Sequence, residues 1–128
     1  MTTSKTFDDL NRLTGISSLP SAQGLLPTAY SYNYNPANQR TQSTFSDGSH
    51  WVYGYDSLGQ VTNGARFWGD NTPVAGEKFQ YAFDTIGNRT QTHTGGDTNG
   101  QNLRVAFYTN NTLNHSGLEA LFAPTVAW

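Results

Sequence analysis

The sequence contains no cysteine, few charged residues and no long apolar run, and each absence excludes a class of protein. Without cysteine there can be no disulfide, no thiolate metal site and no cysteine nucleophile. Only 12% of the 128 residues are charged and the net charge is -2, which lacks the basic footprint of broad nucleic-acid binding. No apolar stretch approaches the roughly 20 residues of a membrane-spanning helix, and the N-terminal residues lack the apolar segment of a signal peptide. The sequence therefore predicts no nucleic-acid partner, no membrane span and no signal peptide in this chain.

Neutral polar residues, glycine and aromatic rings take the place of the missing charge. The chain has 13 Gly, and 13% of its residues are aromatic. Disordered chains are rich in charge and poor in aromatics, so this composition argues against disorder. Helical bundles need Ala, Leu, Glu and Lys, whereas aromatic and Thr-rich sequence with glycine is typical of strands and turns. The length and composition favour a single all-β domain.

Four segments of the chain share one pattern. An aromatic residue is followed by Asp or Asn, two variable residues, Gly or Asn, a polar residue, a variable residue and Thr. The segments are residues 7–14, 34–41, 55–62 and 83–90, and a degraded fifth copy is expected to begin at Tyr108. The intervals between the copies vary while the motif keeps its length, so the insertions fall between the copies.

Each copy predicts a strand, a turn and a second strand. Aromatic residues alternate upstream of the motif, as in Trp51, Tyr53 and Tyr55, which places one face of a strand against an apolar layer. The Asp or Asn that follows can accept a hydrogen bond from the backbone two residues on, and the later Gly or Asn tolerates the positive φ that closes a turn. One hairpin cannot bury its own aromatic face, so the copies are predicted to stack into one antiparallel sheet.

This construction explains most of the motif residues as structural. The carboxylates of Asp8, Asp56 and Asp84 fall where turns need acceptors. The motif arginines are expected to form a ladder between neighbouring hairpins, namely Arg12, Arg40 and Arg89. The predicted apolar layer consists of Leu13, Tyr32, Tyr34, Trp51, Tyr53, Tyr55, Val61, Phe79, Tyr81, Phe83, Ile86, Val105 and Phe107.

Residues 7–15, 55–59 and 83–90 resemble the YD-repeat, or RHS-repeat, family, whose pattern is Tyr-Asp, two variable residues, then Gly-Asn/Arg-Arg/Leu-Thr. The resemblance covers roughly residues 5–114. It implies a β-sheet strip of the kind that, in long members, spirals into a hollow shell around a cargo, often a toxin domain. It also implies an extracellular or cell-surface location. Four or five copies are too few to close such a shell, so the resemblance implies a fragment of the wall, either an open strip or a barrel closed by oligomerisation.

The last residues lose the repeat character. Residues 1–114 are therefore predicted to form the YD-repeat module and residues 115–128 a non-repeat tail. Ser116 and Glu119 have the spacing of a capping box, which predicts a short helix ending before Pro124.

The longest insertion between copies, residues 66–77, holds the candidate functional residues. An exposed Trp68 could stack on a sugar ring, with Arg66 beside it, and Asp70 and Glu77 could share general-acid and nucleophile duties. Trp51, which follows the turn predicted at residues 47–48, is a further candidate for ligand binding. The structural alternative is that Trp68 covers a sheet edge and that the acids are solvated.

Three functions compete at this stage. The first is a non-catalytic β-shell module that acts in encapsulation or in carbohydrate or protein binding. The second is a small glycoside hydrolase that uses the loop carboxylates, with Asp47 and Asp97 as further acids outside the motif. The third is a self-assembling unit, a homo-oligomer joined through open sheet edges. No cofactor is expected, and the three histidines lack metal-ligand spacing, so no metal is expected either.

Overall fold

The computed structural model describes residues 1–110 and 116–119, which form one antiparallel sheet of ten strands in sequential order. The strands are β1 Thr2–Phe7, β2 Leu13–Leu19, β3 Thr28–Tyr34, β4 Arg40–Phe45, β5 His50–Tyr55, β6 Val61–Phe67, β7 Pro73–Phe83, β8 Arg89–Gly95, β9 Leu103–Asn110 and β10 Ser116–Glu119. The prediction of an all-β sheet of stacked hairpins is confirmed. Within the described part of the chain, no helix has the length and apolar character needed to cross a bilayer.

The four motif turns lie along one side of the sheet, here called the YD margin, and share one geometry. In the first, the Asp8 Oδ1 atom accepts hydrogen bonds from the backbone N–H groups of Leu10 (3.0 Å) and Arg12 (2.9 Å). Asn35, Asp56 and Asp84 repeat this pattern in the other copies. The residue that closes each turn has a positive φ, as Asn11 (57°), Asn38 (62°), Gly59 (82°) and Gly87 (88°) do. The predicted turn role of the motif acids is confirmed.

The opposite margin carries the remaining connections of the described sheet, and their sequences vary more. A long loop joins β2 to β3, and Asp47 accepts a hydrogen bond from the Ser49 N–H in the predicted turn between β4 and β5. Between β8 and β9, Asp97 accepts from the Asn99 and Gln101 N–H groups, as a motif acid does. No aromatic residue precedes this turn, which is why the repeat pattern did not include it.

The two faces of the sheet differ in chemistry. Directly paired residues of antiparallel strands share a face. Ser43 pairs with both Tyr32 and Trp51, and Gly64 pairs with both Tyr53 and Phe79. The alternating rings of β3, β5 and β7 therefore lie on one side, here called the aromatic face. The opposite face is mostly hydroxyl, amide and small side chains, among them Ser4, Ser17 and Gln80.

The aromatic layer forms as predicted but remains open to solvent. Among the described residues no hydrophobic side chain is fully buried, because nothing packs on a sheet of one layer. Three members of the predicted layer are wrong. Ile86 is 74% exposed in a turn. Val105 and Phe107 pair with His93 and Gln91 on the opposite face, and Phe107 is 42% exposed. Alternation within one strand does not tell which of its faces is the aromatic one.

The helix predicted from Ser116 and Glu119 is wrong for those residues. Residues 116–119 form β10, which pairs with β9 through partners such as Gly117 and Thr109. Pairing with an open strand edge outweighs the local capping signal. The rest of the predicted tail, residues 120–128, and the turn of the fifth copy, residues 111–115, lie outside the described residues. The division of the chain at residue 114 stays a prediction.

Candidate functional site on the aromatic face

The aromatic face centres on rings from β5 and β7 that meet across β6. The Trp51 and Tyr53 rings are parallel, with an interplanar angle of 4° and centroids 6.1 Å apart. The Phe79 centroid lies 6.2 Å from that of Trp51 and 4.9 Å from that of Tyr81. The Phe79 ring also passes over Gly64, where a Cβ atom would overlap it. The missing side chain at Gly64 thus lets rings from two non-adjacent strands come together.

An open trough of about 440 Å³ crosses this face, a volume within the usual range for small binding sites of about 300–1,000 Å³. Its lining residues are Tyr34, Asn38, Arg40, Tyr53, Tyr55, Val61 and Phe79. Two of the tyrosine hydroxyls are tied to the preceding hairpin. Tyr34 donates to the Leu13 carbonyl and Tyr55 to the Arg40 carbonyl, both at 2.7 Å. The wall of the trough is therefore held by bonds between repeats.

Arginine guanidinium groups lie over the rings of the aromatic face. Arg40 lies 4.1 Å from the Tyr32 centroid and 5.9 Å from that of Tyr34. Arg89 lies 5.2 Å from the Tyr81 centroid and 5.0 Å from that of Tyr108 on the next hairpin. Arginine stacks well on aromatic faces, and such contacts contribute about 0.5–1 kcal/mol at exposed sites.

The predicted ladder of arginines between hairpins is clearest at Arg12. Its guanidinium lies 5.0 Å from the Tyr34 centroid on the next hairpin. The Nη1 atom donates to the Asn35 carbonyl (3.2 Å) and to Asn38 Oδ1 (3.0 Å), both in the next motif turn. The Nε atom forms an ion pair with Asp8 at 2.6 Å. A single side chain thus joins two consecutive turns of the YD margin.

Positive charge on the aromatic face is only partly neutralised. Arg12 pairs with Asp8, and Arg66 pairs with Glu77 at 3.1 Å. Arg40, Arg89 and Arg104 form no ion pair with any carboxylate of the described side chains. Arg104 belongs to this face because its register partner Thr94 pairs in turn with Phe79.

The aspartates lie at the two margins, since each falls in a turn between strands. The hydrogen bond from the Arg12 N–H is the main cause that lowers the pKa of Asp8 below 3.8. The Gln101 N–H similarly lowers the pKa of Asp97. A hydrogen bond from the Ser49 hydroxyl lowers the pKa of Asp47, and one from the Thr72 hydroxyl lowers the pKa of Asp70. These four carboxylates are consequently ionised at neutral pH.

The candidate residues predicted from the sequence lie in two places. Trp68, which is 49% exposed, and Asp70 belong to the β6–β7 turn at the opposite margin. Asp70 accepts hydrogen bonds from the N–H (3.0 Å) and the hydroxyl (2.6 Å) of Thr72. Glu77 lies within β7 and is bound by Arg66. The two carboxylates proposed for hydrolysis therefore have separate partners, and their catalytic role stays a prediction.

The structure brings Arg66 and Trp51 together on the aromatic face. These two residues are register partners, and Arg66 also donates to the Ser49 hydroxyl at 3.1 Å. The Arg66 guanidinium lies 4.9 Å from the Phe45 centroid. Its role as a ligand contact stays a prediction, as does that of Trp51.

Sequence reasoning missed the trough residues Asn38, Arg40 and Tyr53 as a site. The motif pattern places Arg40 only in the ladder between hairpins, whereas the structure brings it onto the aromatic face through a register shift between Asn33 and Tyr34. Phe83 and Arg89 are paired beside the same kind of shift. A basic residue at the next-to-last motif position, one residue before Thr, was the available signal. It indicates a site only once the bulge that turns the side chain is known.

Comparison with known proteins supports the fold. No family model and no curated protein matches the sequence. Two solved structures, of TcdB2-TccC3-Cdc42 and TcdB2-TccC3-TEV, superimpose with TM-scores of 0.72 and 0.70 at 17% and 15% identity. Both are RHS/YD-repeat toxin complexes. This chain has the YD-repeat fold. Each match covers 89% of this chain but only 6% of the solved chain, so the YD-repeat sheet described here corresponds to a small part of those proteins.

Proposed function

We propose that this chain is a wall segment of a YD-repeat β-shell that encloses a protein cargo. The observation that supports the proposal is a sheet of one layer in which no hydrophobic side chain of the described residues is fully buried. A domain that acts alone would cover its rings with a second layer. A wall segment instead relies on further strands at its edges and on contents or neighbours at its faces.

A chimera tests this proposal. The stretch of a TcdB2-TccC3 chain that matches the YD-repeat sheet would be replaced by this chain, and the protease resistance of the protein inside would be measured. We expect the chimera to keep its size and its contents to stay protected. The matched control carries Gly64→Val, which overfills the space under Phe79 and should open the wall. Loss of protection in the chimera without that substitution would contradict the proposal.

Edge-to-edge assembly is a second candidate, since β1 is an edge strand in which all six residues are exposed. The outward backbone groups of an edge strand are a template for pairing, and Lys5 is the one charged residue along it. N–H groups alternate in direction along a strand, so one of Thr3 and Ser4 presents its N–H outward. We expect Thr3→Pro or Ser4→Pro, whichever lies outward, to remove association in light scattering. A wild-type chain that is monomeric at all concentrations would exclude this candidate.

A further inference from the structure

We propose that the trough on the aromatic face binds an acidic segment of another polypeptide that also carries aliphatic side chains. The inference rests on the proposed wall function, because it names the chemistry of what lies against the wall. It is supported by three features of the described residues: the placement of the cations on the aromatic face, the guanidinium of Arg40, and the stacking of the rings on one another.

The separation of charge favours an anionic partner. Five arginines with described side chains lie over or beside the rings of the aromatic face, namely Arg12, Arg40, Arg66, Arg89 and Arg104. Among the described side chains, Glu77 carries the one carboxylate within a strand of that face, whereas the aspartates lie at the margins. On the opposite face Lys78 donates to the Gly100 carbonyl at 2.9 Å. Arg12 lies in a YD-margin turn, and Arg40 and Arg89 begin β4 and β8 beside that margin. The positive charge without a carboxylate partner therefore lies over the rings near the YD margin, where it attracts an acidic segment.

Arg40 gives the trough a specific anchor. Its guanidinium lies over the Tyr32 ring, 4.1 Å from the centroid, and 5.9 Å from that of Tyr34. The residue is exposed and forms no ion pair with a described carboxylate. A guanidinium presents its N–H donors in a planar fork that matches the two oxygens of a carboxylate. The Asn38 side chain lines the same trough. Its Oδ1 atom accepts a hydrogen bond from Arg12, which leaves the amide N–H groups as further donors to a carboxylate.

The ring arrangement decides between a polypeptide and a ligand that stacks. Sugars and nucleic-acid bases bind by laying a flat surface on a free aromatic face. In this cluster the Trp51 and Tyr53 rings are parallel, with an interplanar angle of 4°, and the Phe79 and Tyr81 rings are stacked at 24°. Rings that stack on one another have part of their flat faces occupied, which favours a polypeptide over a ligand that needs a free ring face. Aliphatic side chains can cover the remaining apolar floor.

Fluorescence anisotropy tests the inference on the whole chain. The probe is a fluorescein-labelled peptide of repeated Glu-Leu-Ser units, and the neutral control is the same peptide with Gln in place of Glu. We expect saturable binding of the acidic peptide, weakened by salt, and none of the neutral one. Absence of saturable binding of the acidic peptide would overturn the inference.

Matched variants locate the binding. Arg40→Gln should weaken the peptide by about tenfold or more, whereas Lys78→Gln, which removes one charge from the opposite face, should change affinity by less than about twofold. Asn38→Asp adds a negative charge in the trough at an exposed turn position that Asp tolerates, and it should weaken binding without loss of the fold. Equal losses in Arg40→Gln and Lys78→Gln, or unchanged affinity in Asn38→Asp, would refute the site.

Two competitors test the class of partner. Oligothymidylate and polygalacturonate should fail to displace the acidic peptide at equal charge concentration. Displacement by either of them that depends on Arg40 would assign the trough to a nucleic acid or an acidic polysaccharide and would overturn the inference. Failure of peptide binding together with a protected chimera would reject the acidic partner and leave the wall function standing.

Discussion

The YD margin and the opposite margin of this sheet use the same turn geometry for different purposes. At the YD margin the turns are linked to each other, as when Arg12 bonds Asn35 and Asn38 in the next turn. At the opposite margin the acid of the β6–β7 turn, Asp70, bonds Thr72 within its own turn. The repeated sequence therefore reflects the joining of one hairpin to the next. The opposite margin is where loops of varying length are tolerated.

The largest expected effect comes from comparing two glycines that have an ordinary φ, one on the aromatic face and one at the opposite margin. Gly64→Ala places a Cβ atom within the Phe79 ring, whereas Gly69→Ala meets only ordinary contacts at 3.7 Å. We expect Gly64→Ala to lower the free energy of unfolding by about 1–3 kcal/mol and Gly69→Ala to be close to neutral. Urea denaturation followed by tryptophan fluorescence measures both. Equal losses would show that packing under Phe79 is not the cause.

The next prediction compares how much one turn aspartate of each margin, Asp56 and Asp70, contributes to stability. Asp56 accepts from the N–H groups of Leu58 and Gln60 at 2.9 Å, whereas the backbone donor to Asp70 is that of Thr72. Asp56→Ala should lower the free energy of unfolding by about 1–2 kcal/mol, because two N–H groups lose their acceptor. Asp70→Ala should lower it less. The comparison of the two margins fails if Asp70→Ala is the more damaging change.

The hydroxyl of Tyr55 tests the hydrogen bonds that link one hairpin to the preceding one. Tyr55→Phe removes the hydrogen bond to the Arg40 carbonyl and should lower the free energy of unfolding by about 1 kcal/mol. Tyr53→Phe is the control, because no hydrogen bond of the Tyr53 hydroxyl is described. The equivalent aromatic residue of the fourth copy is Phe83, which lacks the hydroxyl. Phe83→Tyr should therefore leave stability unchanged or raise it. Thermal unfolding by circular dichroism compares the three, and a loss in Tyr53→Phe equal to that in Tyr55→Phe would contradict the link.

Acid should destabilise both margins. The lowered pKa of Asp8 and of Asp97 means that each carboxylate stabilises the fold above its unfolded pKa of about 3.8. That contribution is lost as the pH falls through the folded-state value. We expect the melting temperature to fall below about pH 4, and Asp97→Asn to flatten this fall. Asp9→Asn is the matched control, since it removes a turn carboxylate with no described hydrogen bond, and equal flattening in the two variants would contradict the role given to Asp97.

The smallest expected effect concerns the hydrolase hypothesis. Asp70→Asn and Glu77→Gln should leave the rate of chromogenic glycoside cleavage at the wild-type level, because each carboxylate is bound in the structure, to Thr72 and to Arg66 respectively. A general acid of a glycosidase has a raised pKa, whereas that of Asp70 is lowered. Activity in the wild type that both substitutions abolish would establish the enzyme instead.

The sequence by itself determined the hairpins, their order and the class of fold. Each motif carries its own acceptor, as at Asp56, and its own residue for positive φ, as at Gly59, so that a turn is specified within a few residues. Alternating rings such as Trp51 and Tyr53 marked the strands and one shared face. These features are local, which is why they could be predicted without the structure.

The tertiary structure alone decided which faces meet and where a site forms. The register shifts that bring Arg40 onto the aromatic face, the passage of Phe79 over Gly64, and the pairing of residues 116–119 with β9 depend on neighbours distant in sequence. A slip of one residue would move a strand's side chains to the other face, and local pattern does not fix that choice. The charge on the aromatic face and the acids at the margins therefore became visible only when the strands were paired.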